Sequence, residues 1–304
     1  MTILRPGPSL VPGPWSLVPL LAALSSVAIA QEPGVTRDES IVVGGQLRSY
    51  AVHVPRAYDG RRPLPLVLLL HGRGGSARRI EQVSGMSGKA DGDGFIVAYP
   101  QALGVPSTWH PWPLPGRRAE DAAGDVAFIR ALIEQLKHTL VVDVRRIYVA
   151  GHSSGAMMAY RVGAELGDRV AAIGVVAGTI GWTDGDSTSA VIPAPARPVS
   201  VVVFHGRADP VVPYDDTLPH PPGYPRPLPV ARSVAFWVLH DGCAPEPERV
   251  SMAGGSVLRE HYTGGRSGTE VTAYTIVRGD HRWPAGDVSA TDLMWAFFAT
   301  HPKR

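Results

Sequence analysis

Residues 146–155 read RIYVAGHSSG, and this stretch decides the fold class. Its first half is a short apolar run of strand length, and residues 156–166, AMMAYRVGAEL, favour a helix directly after it. Residues 151–155 therefore form a Gly-x-Ser-x-Gly motif at a strand-to-helix turn, which is the context in which this pattern exposes a serine hydroxyl above a sheet. The motif predicts Ser153 as a nucleophile, and the alternative is an ordinary helix N-cap serine.

Strands and helices alternate on both sides of this turn. Residues 64–70, LPLVLLL, form a continuous apolar run that indicates a strand buried on both faces. Apolar residues at spacings of three and four predict a helix from Val126 to Leu140. The other predicted elements are strands at Arg48–Pro55, Phe95–Tyr99, Arg146–Ala150, Val170–Val176, Val199–Phe204 and Val271–Val277 and helices at Ala156–Leu166, Val230–His240 and Val288–Ala299. This alternation predicts an α/β fold with a mostly parallel central sheet and helices on both faces.

The composition limits the classes of partner. Of the 304 residues, 44% are hydrophobic and 18% are charged, a balance that supplies a sizeable core and argues against a disordered chain. The formal net charge of +2 gives no reason to expect nucleic acid or an anionic membrane as a partner. The single cysteine, Cys243, excludes an internal disulfide and a cysteine zinc cluster. No motif calls for a metal or an organic cofactor.

The N-terminal segment has the pattern of an export signal. Residues 1–30 carry one charge, at Arg5, and an apolar run from Trp15 onward ends in the small-x-small string AIA. The run is short for crossing about 30 Å of hydrocarbon, and the alternative is an anchor that is not cleaved. We expect residues 1–30 to be a signal peptide and residues 31–304 to be a single catalytic domain. The mature protein is then secreted or periplasmic, without a stable membrane anchor.

A serine hydroxyl becomes an effective nucleophile only when a base removes its proton. Among eleven histidines, His281 is placed best by chain order, because it follows the last predicted strand and precedes the last helix. His205 ends a strand directly before a glycine, and His71 and His152 flank loops near the site. We expect structural roles for these three and predict His281 as the general base.

A third group must accept the other imidazole N–H and fix its tautomer. Asp209 lies in the loop after a predicted strand, and Asp215 and Asp216 in the same loop compete with it for this role. The chain order Ser153, Asp209, His281 is one of the known orders of a serine triad, which favours Asp209.

A tetrahedral oxyanion needs two convergent backbone N–H donors. We expect one from Ser154, directly after the nucleophile, where the N-terminus of the next helix adds positive partial charge. The second should come from the turn at residues 71–75, HGRGG, where glycines let the backbone approach a substrate carbonyl. The N–H of Arg73 is favoured there, with that of Gly74 as the alternative.

Four segments together resemble one known family; in order, they are LVLLLHGRGG, IYVAGHSSGAMMAYR, FHGRADPVVPY and GDHRWPAG. They are similar to the polyhydroxybutyrate-depolymerase and feruloyl-esterase-like family of secreted α/β-hydrolases, and the likeness runs from about Arg48 to the C-terminus. The resemblance implies an α/β-hydrolase fold. It also implies a serine carboxylesterase that forms an acyl-enzyme, with Ser153, Asp209 and His281 as its triad.

The chain departs from that family's pattern at three places. Members often carry a cysteine pair in the loop that here spans residues 109–113, WHPWP, without cysteine. The family's later bridge would join Cys243 to a cysteine near Gly265, where this chain has glycine. Asp280 stands where the family usually has glycine before the histidine. The first two departures bear on local rigidity, and the third bears on the geometry of the histidine loop.

The resemblance implies small-molecule, polysaccharide or polyester esters as substrates, with feruloyl, acetyl or short hydroxyalkanoate groups. Trp109, Trp112 and Trp283 are candidates for lining an acyl pocket, where a ring would stack on an aromatic acid. Simple packing is the alternative, and it is at least as strong for Trp109 and Trp112. Two other functions stay open: a non-catalytic carbohydrate- or partner-binding protein on the same fold, and a serine peptidase.

Overall fold

A computed structural model describes residues 32–112, 119–183, 189–215, 226–286 and 288–304. The expected signal peptide, residues 1–30, lies outside these ranges, as does the competing acid Asp216. In the ranges that are described, no helix is both long enough and apolar enough to cross a membrane.

Thirteen strands occur in the described ranges. They are β1 (Thr36–Val43), β2 (Gln46–His53), β3 (Leu64–Leu70), β4 (Ile96–Pro100), β5 (Val142–His152), β6 (Ala172–Val176), β7 (Gly181–Thr183), β8 (Ser189–Val191), β9 (Ser200–Gly206), β10 (Arg226–Pro227), β11 (Glu248–Met252), β12 (Val257–Tyr262) and β13 (Val271–Ile276). The α-helices described are α1 (Ala77–Ser84), α2 (Met86–Asp93), α3 (Ala119–Thr139), α4 (Ser154–Glu165), α5 (Val230–Asp241) and α6 (Ala290–Thr300).

Ten of these strands form one sheet, in the order β1-β2-β4-β3-β5-β6-β9-β13-β12-β11. The six central strands, from β4 to β13, run parallel, and two antiparallel strands extend the sheet on each side. Every residue of β3 is buried, as expected for a strand covered on both faces. The predicted α/β fold with a mostly parallel central sheet is confirmed.

Helices cover both faces of this sheet. On one face α3, α4 and α5 bury residues such as Phe128, Met158 and Trp237. On the other face α1, α2 and α6 bury a second cluster that includes Ile80 and Phe298. Burying a large apolar side chain contributes about 1.5–3 kcal/mol, so these two layers hold the sheet in place.

The parallel centre brings distant loops to one edge of the sheet. His152 at the end of β5 pairs with Val176 of β6, and Val176 pairs with Phe204 of β9. Phe204 in turn pairs with Tyr274 of β13. Because these strands end at one level, the loops that follow β5, β9 and β13 lie at the same edge. Leu70 of β3 is level with β5 as well, which places the turn at residues 71–75 there too.

Candidate active site

Ser153 occupies the turn between β5 and α4 in a backbone conformation that is uncommon for a residue with a side chain. Its φ is 56° and its ψ is −120°. The Ser153 N–H donates to the carbonyl of Val176 at 2.9 Å, and its own carbonyl accepts from the N–H of Met157 at 3.0 Å. Local strain of this kind persists only where surrounding bonds hold it, and it is frequent at active sites.

Two glycines make this turn possible. A Cβ on Gly151 would lie 2.3 Å from the backbone of Gly155, and a Cβ on Gly155 would lie 2.4 Å from the carbonyl oxygen of Leu70. Neither position has room for a side chain, since the obstructing atoms are backbone. The motif's glycines therefore let α4 start directly against β3 and β5.

Three side chains that are far apart in sequence meet at this turn. His281 Nε2 lies 2.9 Å from Ser153 Oγ, and His281 Nδ1 lies 2.7 Å from Asp209 Oδ2. A carboxylate accepts hydrogen bonds, so Nδ1 carries the imidazole proton and Nε2 is left to accept from the serine hydroxyl. The structure thus brings together the three residues that the sequence proposes as nucleophile, base and acid.

The carboxylate of Asp209 is completely buried. Its Oδ1 accepts from the N–H groups of Val211 and Val212 at 2.8 and 2.9 Å. Burial by itself would raise the pKa of Asp209, but the hydrogen bonds from His281, Val212 and Val211 outweigh it and lower that pKa. Asp209 is therefore ionised at neutral pH and can stabilise a protonated His281.

His205 lies beneath this acid. It is buried, and its Nε2–H donates to the carbonyl of Val212 at 2.8 Å, with Asp209 Oδ2 3.5 Å away. Burial lowers the pKa of His205, so the ring is neutral at neutral pH. The ring supports the turn that holds Asp209, in agreement with the structural role expected for it.

The expected oxyanion donors belong to the turn after β3 and to the first residue of α4, which both lie at this edge of the sheet. The N–H of Gly74 already donates to the carbonyl of Ser107 at 2.7 Å. For the N–H groups of Arg73 and Ser154, the described part of the chain supplies no acceptor. This favours Arg73 over Gly74 as the second donor to an oxyanion.

Hydrogen bonds of His71 stabilise the turn that carries Arg73. The N–H of Ala102 donates to His71 Nε2 at 3.1 Å, so Nδ1 carries the proton and donates to the carbonyl of Gly72 at 2.7 Å. Trp109 Nε1–H donates to the carbonyl of His71 at 2.9 Å. His71 and Trp109 therefore fix the shape of this turn.

The three candidate substrate tryptophans are all buried. Trp109 is 2% exposed, and Trp112 and Trp283 are each 6% exposed. Trp283 Nε1–H donates to Thr291 Oγ1 at 3.0 Å inside the packing of α6. The structure places these rings in the core, so the packing alternative describes them better than an open acyl pocket does.

The structure shows the local contacts at the two places where the family that the chain resembles has cysteines. In the loop without cysteines, the His110 N–H donates to Asp125 Oδ2 at 3.0 Å, while Asp125 Oδ1 accepts from Arg48 Nη2 at 2.9 Å. At the second place, Cys243 lies close to Gly265, since a Cβ on Gly265 would be 2.9 Å from the Cys243 sulfur. Burial raises the pKa of the Cys243 thiol to about 11, which leaves it unreactive.

Asp280, the third departure, turns away from the site. Its carboxylate accepts from the backbone N–H of Arg282 at 3.1 Å and pairs with the guanidinium of the same residue at 3.1 Å. The substitution therefore leaves the contacts of His281 with Ser153 and Asp209 intact. Within the described ranges, no three or more His, Cys, Asp or Glu side chains are grouped to hold a metal ion.

Comparison with known proteins identifies the family to which this chain is similar. Residues 48–226 match the family model described as esterase PHB depolymerase. NocK of Nocardia uniformis subsp. tsuyamanensis, an esterase by name, is 33% identical over 83% of this chain and 75% of its own length. Feruloyl esterase C of Emericella nidulans is 28% identical over 93% of this chain and 97% of its own.

A solved structure agrees on the fold. The acetyl xylan esterase from Aspergillus awamori matches with a TM-score of 0.63 at 15% sequence identity, covering 86% of this chain and 99% of that one. The family model and the named relatives confirm the resemblance drawn from the four motifs. The chain belongs to the esterase PHB depolymerase family and is a carboxylic ester hydrolase with the α/β-hydrolase fold.

Proposed function

We propose that the enzyme hydrolyses its esters through Ser153 as nucleophile, His281 as general base and Asp209 as the acid that orients it. One observation carries this proposal: the hydroxyl, imidazole and carboxylate form a continuous chain with distances of 2.9 and 2.7 Å. At the same edge of the sheet, the N–H groups of Ser154 and Arg73 have no acceptor among the described residues.

The mechanism follows from which atoms are free to accept a proton. His281 Nε2 takes the proton of Ser153 Oγ while that oxygen attacks the ester carbonyl. The N–H groups of Ser154 and Arg73 donate to the oxyanion that forms, and the ionised Asp209 stabilises the imidazolium. His281 then gives its proton to the departing alcohol, which leaves an acyl-enzyme on Ser153. Water, activated in the same way, releases the acid.

For the substrate, we propose feruloyl or acetyl esters of plant-type carbohydrate, with short hydroxyalkanoate esters as the second candidate. The name of one relative, feruloyl esterase C, favours the first group. The family's own description favours the second. The buried tryptophans lend no extra weight to an aromatic acyl group. Family membership favours the esterase over a non-catalytic binding protein and over a peptidase.

We also propose that residues 1–30 are a cleaved export signal, so that the mature enzyme, residues 31–304, is secreted or periplasmic. The support is the apolar run that ends in Ala28-Ile29-Ala30. N-terminal sequencing of the exported protein should begin at Gln31. Recovery of the intact N-terminus in the membrane fraction would contradict this.

A substrate panel tests the proposal. The mature enzyme is assayed on methyl ferulate, p-nitrophenyl acetate, acetylated xylan and hydroxybutyrate oligomers, with Ser153→Ala as the control. We expect kcat/KM to be highest on the feruloyl or acetyl substrate and to fall to background in the control. Hydrolysis confined to hydroxybutyrate oligomers would select the second candidate, and hydrolysis that survives in the control would remove Ser153 from the mechanism.

A further inference from the structure

The residue directly before the nucleophile touches both loops that complete the site. His152 Nε2 lies 2.8 Å from the backbone carbonyl oxygen of His281, and the two imidazole rings are 5.1 Å apart between centroids. On its other side the ring meets the turn after β3, where a Cβ on Gly72 would lie 3.1 Å from His152 Nδ1. His152 therefore lies between the turn at residues 71–75, here called the oxyanion turn, and the loop after β13 that carries His281, here called the histidine loop.

The contact with His281 fixes the chemistry of the ring. A carbonyl oxygen only accepts hydrogen bonds, so Nε2 of His152 carries a proton and donates a hydrogen bond to the backbone carbonyl of His281. Burial, helped by the nearby His281 and His205, lowers the pKa of His152 to about 4, although the hydrogen bond to the carbonyl of His281 and the charge of Asp209 act in the opposite direction. At neutral pH the ring is therefore uncharged, and its Nε2 is committed to a structural bond. It does not compete with His281 as the base.

The bonded carbonyl belongs to the residue whose ring must be placed most accurately. His281 lies in the loop after β13, and its imidazole must reach Ser153 and Asp209 at the same time. Lower in the loop, the carbonyl of Gly279 accepts from the N–H of Ala208 at 2.9 Å. The bond from His152 adds a second fixed point at His281 itself. A displacement of about 1 Å at such a position can cost on the order of 100-fold in rate.

We propose that His152 is a positioning residue for the esterase reaction, which holds the peptide of His281 so that the imidazole stays between Ser153 and Asp209. This inference rests on the proposed function. It assigns a positioning role to the first variable residue of the Gly-x-Ser-x-Gly motif in this protein. The side chain before the nucleophile links the nucleophile turn, the oxyanion turn and the histidine loop.

Three variants separate a hydrogen-bonding role from simple packing. His152→Leu keeps an apolar side chain of medium size but has no donor, and His152→Asn has a donor on a shorter side chain. His152→Gln carries an N–H group at about the reach of Nε2. Each is assayed on p-nitrophenyl acetate for kcat and KM, and thermal unfolding shows that each is folded at the assay temperature.

We expect His152→Leu and His152→Asn to lose about 10- to 100-fold in kcat with KM changed less than about threefold. His152→Gln should recover most of that loss. If His152→Leu does not fold, the comparison of Asn with Gln carries the test.

Two results would overturn the inference: parent-like kcat in the Leu and Asn variants, or a loss in the Gln variant as large as theirs. Ser153→Ala, run in parallel, separates this from failure of the proposed function. An active Ser153→Ala variant removes the serine mechanism itself. An inactive Ser153→Ala beside a parent-like His152→Leu removes only the role given to His152.

Discussion

His281 Nδ1 lies 2.7 Å from Asp209 Oδ2, although the two residues are 72 positions apart in the chain. The carboxylate is fully buried and receives two further hydrogen bonds from the backbone of its own turn. An acid held this tightly can fix only one orientation and one tautomer of the imidazole. That is the property that a serine hydrolase requires of the third member of its triad.

Replacing this acid tests its role against its competitor in the same loop. Asp209→Asn keeps the size of the side chain but loses the charge that stabilises the imidazolium and fixes its tautomer. We expect kcat to fall on the order of 10⁴-fold on p-nitrophenyl acetate. The matched control is Asp215→Asn, which should keep activity within about threefold of the parent. A reversed pattern would assign the role to Asp215.

The glycines around Ser153 should not tolerate a side chain. In Gly151→Ala the new Cβ would meet the backbone of Gly155 at 2.3 Å, so the turn must open. We expect the free energy of unfolding to fall by at least about 2 kcal/mol in urea titrations, with activity lost as well.

The control for that change is Gly88→Ala in α2, where a Cβ would have no neighbour within 4 Å. Alanine is the better helix former, so this variant should be neutral or more stable by up to about 1 kcal/mol. Equal stability of the Gly151→Ala and Gly88→Ala proteins would show that the turn is not as tight as described.

The central strands and the nucleophile turn are readily predicted from the sequence. The strand at Leu64–Leu70 has the same bounds in the prediction and in the structure, because a run buried on both faces needs no alternation to be recognised. The turn that carries Ser153 is likewise predictable because the motif, the strand before it and the helix after it are all local.

The edges of the sheet are not predictable in the same way. Strands β1, β11 and β12 are absent from the prediction because they carry charged residues and are only partly buried, as in ERVSM of Glu248–Met252. Helix α2, MSGKADGD, contains two glycines and lacks an apolar stripe, and only its Met86 and Ala90 are buried. Such elements form because neighbouring elements offer hydrogen bonds and contacts, which a single segment does not reveal.

The details of the site depend on contacts across long stretches of chain. Asp209 and Asp215 share one loop and both lie between Ser153 and His281, so chain order fits either of them, and it is the contact of Asp209 with His281 that separates the two. The burial of the three tryptophans and the contact of His152 with His281, 129 positions away, have no local signal. The bond between Gly74 and Ser107, which leaves Arg73 as the favoured oxyanion donor, is equally non-local.

The loop without cysteines should depend on a buried ion pair. Arg48 and Asp125 are 3% and 4% exposed, and the guanidinium also lies 4.1 Å from the ring centre of Phe128. Asp125→Ala leaves a buried guanidinium without its partner, so we expect a loss of about 3–5 kcal/mol in the free energy of unfolding. Asp38→Ala removes the exposed partner of Arg78 and should cost less than about 1 kcal/mol. Similar losses in urea unfolding for both variants would contradict the account.

Stability should depend on pH through a buried acid at the end of α5. Asp241 Oδ1 accepts from the Val199 N–H at 3.0 Å, while Oδ2 has no partner among the described residues. Burial raises the pKa of Asp241 from 3.8 to about 7. Between those values the folded protein holds a proton that the unfolded chain has lost, so this group's contribution to stability is present at low pH and is lost as pH rises.

Asp241→Asn removes that titration. At pH 8 the variant should be more stable than the parent by about 1–3 kcal/mol, and at pH 4 the difference should nearly vanish. Urea unfolding of both proteins at the two pH values measures this directly. A variant that is less stable than the parent at pH 8 would mean that the carboxylate is ionised and well paired.

Covalent capture of the nucleophile tests the central claim most directly. The enzyme is treated with a fluorophosphonate and digested, and the modified peptide is sequenced by mass spectrometry. Hydrolysis of p-nitrophenyl acetate is measured before and after the treatment. The account predicts one modification, on Ser153, that removes esterase activity in proportion to its extent. Modification of another residue with the same loss of activity, or full labelling of Ser153 with activity retained, would contradict it.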